Sequence, residues 1–269
     1  MCGRYVLVSK LSLIEKRFNA STIFPELYKK SPNVSLGDLA PIVCNDNPNK
    51  LQMASFGFSP SWSQKRMYLF NARLEGDNNK DNSLNYQGAF GIAQKPAFRK
   101  AIRQQRCLIP ADAYIEGPEK EKLSKPFVVF KSDAGNPFAF AGIWEDWLDK
   151  SNGEIARTFS IITSWANSIS QKIGHHRAPL VLMPQDEQIW LASDLSLEQI
   201  LTVLRNPDND NWNAYPISDA VKNQKNKDLT LLTPLGNPLL SEYEYHLYQE
   251  LKLEGMGNSQ SRARKQNEL

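Results

Sequence analysis

A chain of 269 residues with 41% hydrophobic and 23% charged positions fits one β-rich domain, and it lacks the uninterrupted apolar run of about 18 residues that a membrane span needs. A formal charge of +3 is far short of a polyelectrolyte-binding tail, so any nucleic-acid contact has to be local. Three cysteines and three histidines form neither a disulfide framework nor a metal-ligand spacing, so no metal and no other cofactor is expected.

In chain order, Met1-Cys2-Gly3-Arg4 leads directly into Tyr-Val-Leu-Val at residues 5–8, a predicted strand, with no basic stretch and apolar core of a secretory leader; a cytoplasmic location is expected. Ser9 is placed to cap a helix running to about Phe18. Apolar runs at 51–58, 126–131, 137–144, 157–163 and 179–184 are rich in Val, Ile, Phe and Trp and bounded by Pro, Gly, Asn and Asp, which predicts strands. Helical spacing recurs near 97–105, in 196–205 behind Ser196-Leu197-Glu198-Gln199, and in 241–252. The class is α+β. Residues 76–94 are polar and read as a mobile surface insertion, and the tail after Gly255 reads as disordered. No internal repeat is present, so one domain plus a tail is expected, as a monomer.

The most reactive group is at the start. Once Met1 is removed, Cys2 carries a free α-amine and a thiol on one residue. Reference pKa values of about 7.7–8.0 for the amine and about 8.5 for the thiol leave a usable neutral-amine fraction near pH 7. An amine condenses with an aldehyde to an imine, and a thiol two carbons away closes a thiazolidine on it, so an aldehyde is the natural target. The reaction needs proton transfer, for which a carboxylate and a histidine suffice. His175 and His176 sit in a polar loop just before the apolar run Leu180–Met183, whereas His246 lies in a helical pattern and reads as a packed or surface residue. Glu116 ends the apolar stretch that begins at Cys107 and includes Asp112; burial there would raise a carboxyl pKa. Asn71 offers both donor and acceptor atoms but equally suits a turn. Of two basic stretches, Arg99–Arg106 is favoured over Arg262–Lys265 as a DNA contact.

Six short segments then occur in a telling order: Met1-Cys2-Gly3-Arg4-Tyr5, Phe70-Asn71-Ala72-Arg73, Arg106-Cys107-Leu108-Ile109-Pro110 with Glu116, Phe138–Glu145, Thr163-Ser164-Trp165-Ala166-Asn167, and His175-His176-Arg177-Ala178-Pro179. Together they resemble the SOS response-associated peptidase (SRAP) family over about residues 2–184. The resemblance implies a single domain over 2–255 with a mixed, mostly antiparallel, barrel-like β core and flanking helices. It implies an abasic-site sensor in single-stranded DNA that crosslinks covalently to the opened deoxyribose, with thiol autopeptidase removal of Met1 and lyase chemistry as companion activities. By the same resemblance Cys2 supplies amine and thiol, Asn71 orients the sugar or amine, Glu116 assists proton transfers, and His175 acts on the ring oxygen. Arg4, Arg73 and Arg177 are expected to hold phosphates, with Arg99, Trp62 and Ser164 as further DNA contacts.

Departures from the family pattern are local. Phe56 stands where a tryptophan is common, which predicts altered base stacking; Ile115-Glu116-Gly117 lacks an aromatic pair; His176 replaces an aspartate; and Ala178 replaces a longer side chain. Cys107 reads as buried packing, and Cys44 has no assigned role. Two other classes fit the residues: an N-terminal-nucleophile cysteine hydrolase acting on peptides or amides, with the α-amine as base, and a catalytically silent DNA-binding module.

Overall fold

The computed structural model describes residues 3–131, 136–205, 207–208 and 211–241. Cys2, the expected helix at 241–252 with His246, and the expected disordered tail lie outside the described residues, apart from position 241. The elements begin with β1 (Arg4–Leu7), α1 (Leu11–Phe18), β2 (Ser31–Ser35), β3 (Leu39–Cys44), β4 (Leu51–Phe56) and β5 (Asn71–Arg73). They continue with α2 (Ala101–Gln104), β6 (Arg106–Ala111), β7 (Ala113–Glu116), β8 (Phe127–Lys131), β9 (Phe138–Leu148) and β10 (Ile155–Trp165). The chain ends its regular structure with α3 (Ser168–Ile173), β11 (Arg177–Pro179), α4 (Glu187–Leu191), α5 (Leu197–Val203) and β12 (Trp212–Pro216).

Five strands close into a ring. β10 pairs with β4 in parallel, β4 with β3, β3 with β6, β6 with β9, and β9 returns to β10, all these last pairings antiparallel. Closure leaves none of these strands as an open edge. β9 and β10 are long and are buried on both faces over most of their length. In β9, Gly142 is required by packing: a Cβ there would meet Ile109 Cδ1 at 2.5 Å and Cys107 Sγ at 2.8 Å. A second sheet, β12-β8-β7-β1-β2, is antiparallel throughout and packs beside the barrel. Tyr5 joins the two layers, meeting Phe56 and Phe140 edge-on with centroids 5.8 Å away in each case. No helix among the described residues is long and apolar enough to cross a membrane.

The α+β class and the main strands agree with the sequence reading, and the capping box at Ser196 and Gln199 forms as expected. Several expectations are corrected. Ser9 does not cap α1; Lys10 occupies that position without a side-chain cap, because the Ser9 hydroxyl donates to Asp112 Oδ1 at 2.6 Å. The run 179–184 contributes only Pro179 to β11 and an isolated bridge from Val181 to Phe140, and Pro184 then opens a helical turn. β2 and β3 escape the sequence reading because each contains a proline, Pro32 and Pro41. The 76–94 segment is anchored rather than loose: Phe90, Ile92 and Ala93 are buried in the core. Arg106 belongs to the interior, with its Nε donating to Trp190 O at 2.9 Å, so the basic stretch is shorter on the surface than in the sequence. Phe56 is fully buried and stacks on Phe159 at 5.2 Å, so its exchange for tryptophan alters the core and not the stacking of bases.

Asp112 fixes the exit of β1. Its Oδ2 accepts from Val8 N at 2.6 Å and Ser9 N at 2.8 Å, while its own N–H donates to Val6 O at 2.8 Å. Removing a buried carboxylate that satisfies two main-chain donors and a hydroxyl is costly, so Asp112→Ala is expected to lower stability by roughly 3 kcal/mol in urea unfolding. A loss below about 1 kcal/mol in that measurement contradicts this account.

Candidate active site

Strand pairing brings the candidate residues together. β1 and β7 run antiparallel with Tyr5 opposite Tyr114; continuing that register sets Gly3 beside Glu116, and both line one cavity of about 970 Å³. Cys2 is outside the described residues, and Gly3, to which it is bonded, is part of that wall. The β7 carboxyl turns into the cavity because the chain folds back at once: at Gly117 a Cβ would meet Lys122 O at 1.9 Å, so only glycine lets the following loop close over it. Glu116 is buried, and burial pushes its carboxyl above the usual carboxylate range.

His175 comes to the same cavity from the other side. Asn167 caps α3 by accepting from Ser170 N at 2.9 Å, and Gly174 ends the helix in the left-handed region at φ 86°. The chain then reverses, and His175 Nε2 stands 3.6 Å from Glu116 Oε1, close but beyond direct hydrogen-bonding distance. Its Nδ1 lies 3.1 Å from Arg177 N and 3.0 Å from Arg177 O, so one main-chain residue holds the ring in either tautomer. Burial lowers the imidazole to about 4, which keeps it neutral at pH 7. His176 stacks on His175 with centroids 5.0 Å apart, and its Nδ1 is 2.9 Å from Glu119 Oε2. The imidazole that replaces a family aspartate is thus supplied with a carboxylate from another loop.

Asn71 opens β5 opposite Ile161, its Nδ2 donating to Phe70 O at 3.0 Å; Phe70 and Arg73 on either side of it line the cavity. Arg73 donates through NH2 to Asn79 O and to Asn82 Oδ1, the latter at 3.0 Å. Arg177 is gripped by Glu75 through two bonds of 3.0 and 2.9 Å and by Thr163 O at 2.9 Å. Arg73 and Arg177 each keep a buried Nε–H with no acceptor among the described residues. Burial lowers the Arg73 guanidinium, and the like charge of Arg177 adds to that.

Other expected contacts fall elsewhere. Arg4 lines the cavity, but its guanidinium is turned inward, donating to Asn33 Oδ1 at 2.9 Å, Ser35 Oγ at 3.0 Å and Lys222 O at 2.8 Å. That places Arg4 as a tie between β1, β2 and the turn at Lys222, in correction of its reading as a phosphate contact. Ser164 is 3% exposed in β10 and bonds to Trp165 O at 3.4 Å, which leaves it too enclosed for a surface contact. Trp62, 60% exposed, and Arg99 line a different cavity of about 470 Å³ with Pro60, Pro96 and Lys100. Sequence reading missed Glu75 and Asn79, and also the lysines at the rim of the larger cavity, Lys120, Lys122 and Lys222. Glu75 had one visible signal, a carboxylate directly after Ala72-Arg73-Leu74.

By architecture this is a barrel-and-sheet domain known from solved bacterial structures. A Bacteroides thetaiotaomicron protein superposes with a TM-score of 0.72 at 27% identity, covering 87% of this chain and 100% of that one. A Bordetella bronchiseptica protein shares the fold with a TM-score of 0.62 at 18% identity, over 81% and 100%. The chain belongs to the SOS response associated peptidase (SRAP) family, whose model matches residues 1–224. Among its relatives are the abasic site processing proteins YoaM and YoqW of Bacillus subtilis (strain 168). YoaM is 31% identical across 86% of this chain and 97% of its own length, and YoqW 30% identical across 86% and 99%.

The depressed His175 pKa has a measurable sign. The unfolded chain takes a proton at about 6.5 and the folded one only at about 4, so this residue makes stability fall as pH drops through that window. Ring C–H resonances of His175 in an NMR titration are expected to move with a midpoint near 4, and His175→Gln is expected to reduce the loss of stability between pH 6.5 and 4. A midpoint near 6.5 excludes the dry environment assigned to the ring.

Proposed function

We propose that the protein captures abasic sites in single-stranded DNA by forming a thiazolidine between Cys2 and the ring-opened deoxyribose. The observation that carries this reading is the cavity itself, where Gly3, Glu116, His175 and Arg73 meet in a chain whose relatives are named abasic site processing proteins. Hydrolysis of the Met1–Cys2 peptide bond, with the Cys2 thiol as nucleophile, first frees the amine.

His175 is neutral, so it polarises the sugar ring oxygen as a hydrogen-bond donor; that oxygen takes up a proton as the C1 hydroxyl gives one up, and the hemiacetal opens to its aldehyde. The Cys2 amine adds to that carbonyl carbon, with Asn71 orienting the reactants, and the carbinolamine forms. Glu116, its carboxyl raised by burial, gives a proton to the hydroxyl, which leaves as water, and takes back the nitrogen's proton as the imine forms. The thiol then adds through sulfur to the imine carbon, its proton passing to nitrogen, and the five-membered ring closes. Atoms balance: one water is released for each crosslink.

Phosphates of the strand are held by Arg73 and by the lysines at the rim, while Arg177, enclosed and paired with Glu75, supports the site from within, and Trp62 with Arg99 takes a flanking base and phosphate at the second cavity. These contacts position the strand without reading its sequence.

The test is incubation of mature protein with a single-stranded oligonucleotide bearing one abasic site, read on a denaturing gel. A heat-stable shifted band is expected, absent with Cys2→Ala, whose amine still gives a borohydride-trappable imine. Glu116→Gln is expected to slow capture about 100-fold with binding of undamaged strand retained. Peptide cleavage with no shifted band turns the assignment to a cysteine hydrolase, and stable crosslinking by Cys2→Ala rejects the thiol's role.

A further inference from the structure

We infer that Asn79, acting through Glu75, is a positioning residue for Arg177 and through it for His175, so that the 76–94 segment is a working part of the site. The inference rests on the abasic-site reading for its chemistry and on packing alone for its geometry. Glu75 is fully buried and Asn79 is 4% exposed, although both lie in or beside a stretch of otherwise polar, surface-like sequence.

The connection is continuous. Asn79 Nδ2 donates to Glu75 Oε1 at 3.3 Å and to Ser83 O at 3.0 Å, while its Oδ1 accepts from Ser83 N at 2.8 Å. The Asn79 carbonyl accepts from Arg73 NH2, and Asn82 Oδ1 accepts from the same nitrogen at 3.0 Å. Glu75 in turn holds both terminal nitrogens of Arg177, at 3.0 and 2.9 Å. The main chain of Arg177 then sets the ring of His175 through its Nδ1, 3.1 Å from Arg177 N. One amide side chain therefore supports the carboxylate that holds Arg177 and, one residue further, the imidazole, while Arg73 is held by the main-chain carbonyl of the same residue and by Asn82.

Charge makes the arrangement necessary. Arg73 and Arg177 carry like charge close to one another, and Glu75, fully buried, bonds both terminal nitrogens of Arg177. Arg177 occupies both oxygens of this unexposed carboxylate, and Asn79 adds a second, neutral donor to Oε1 without adding charge. The loop's base cannot drift independently: a Cβ on Gly91 would meet Glu75 O at 2.6 Å, and Ile92 N donates to Leu74 O at 3.0 Å. Long side chains reach a reactive geometry only when their supports are rigid, and a small displacement at such a support costs rate before it costs binding.

Asn79→Ala is tested against wild type and against Leu84→Ala, an exposed position in the same segment that should behave as wild type. The readouts are the crosslinking rate at saturating abasic DNA, the Kd for an undamaged strand, and the ring 15N shifts of His175, which report its tautomer balance. Asn79→Ala is expected to reduce the saturated rate about 10-fold, to weaken Kd less than that, and to change the His175 15N shifts. Asn79→Ser, which keeps one donor, is expected to restore part of the rate and serves if the alanine variant does not fold. An unchanged rate with unchanged 15N shifts overturns the inference, as does a rate loss that Leu84→Ala shares. If wild type forms no crosslink, the functional reading fails, and the response of the His175 shifts alone decides the positioning link.

Discussion

Strand β10 carries more of this molecule than any other element, because both of its edges are hydrogen-bonded for most of its length. Its first part closes the barrel against β9 and β4. Its last residues hold β5 on one side and β11 on the other, so that Thr163 stands opposite both Arg73 and Pro179. Two segments far apart in sequence, Asn71-Ala72-Arg73 and Arg177-Ala178-Pro179, become neighbours for that reason. Thr163 then adds its own oxygens, accepting from Arg177 at 2.9 Å through its carbonyl and 3.2 Å through its hydroxyl. The backbone of the barrel and the arginines of the site are one hydrogen-bonded system.

A single physical cause, removal from water, sets the state of the chemical groups. It raises Glu116 and lowers His175, shifting each towards its neutral form, and leaves the imidazole uncharged at neutral pH. Around the cavity stand Arg73, Lys120, Lys122 and Lys222 with Glu119 and Glu121 among them, while Arg177 is paired with Glu75. That arrangement suits a reaction in which an uncharged amine meets an uncharged aldehyde while a polyanion is held alongside. A charged carboxylate at the floor would compete with the phosphates for the same cations. Glu75 avoids that competition only because it is fully enclosed and bonded at both oxygens.

Local pattern made some of the site legible. The reactive terminus, the apolar stretch ending in Glu116 and the polar His175-His176 loop before an apolar run are all properties of neighbouring residues, and the structure brings Gly3, Glu116 and His175 to one cavity. Arg4 and Ser164 were misread for a common reason. A short motif shows that a polar residue is present but not whether its hydrogen bonds are satisfied inside, as those of Arg4 are by Asn33, Ser35 and Lys222. Phe56 is the same error in reverse, an aromatic side chain read as a stacking surface and found in the core.

What the sequence determined by itself was the chemistry available and the α+β class, since residue identity and the period of apolar positions are local quantities. Tertiary structure alone decided which charges are cancelled and which are left for a ligand. Asn79, Glu75, Arg177 and His175 form one bonded chain only after β5 and β11 have docked on β10, because hydrogen bonds between residues so far apart depend on ångström placement that no spacing encodes.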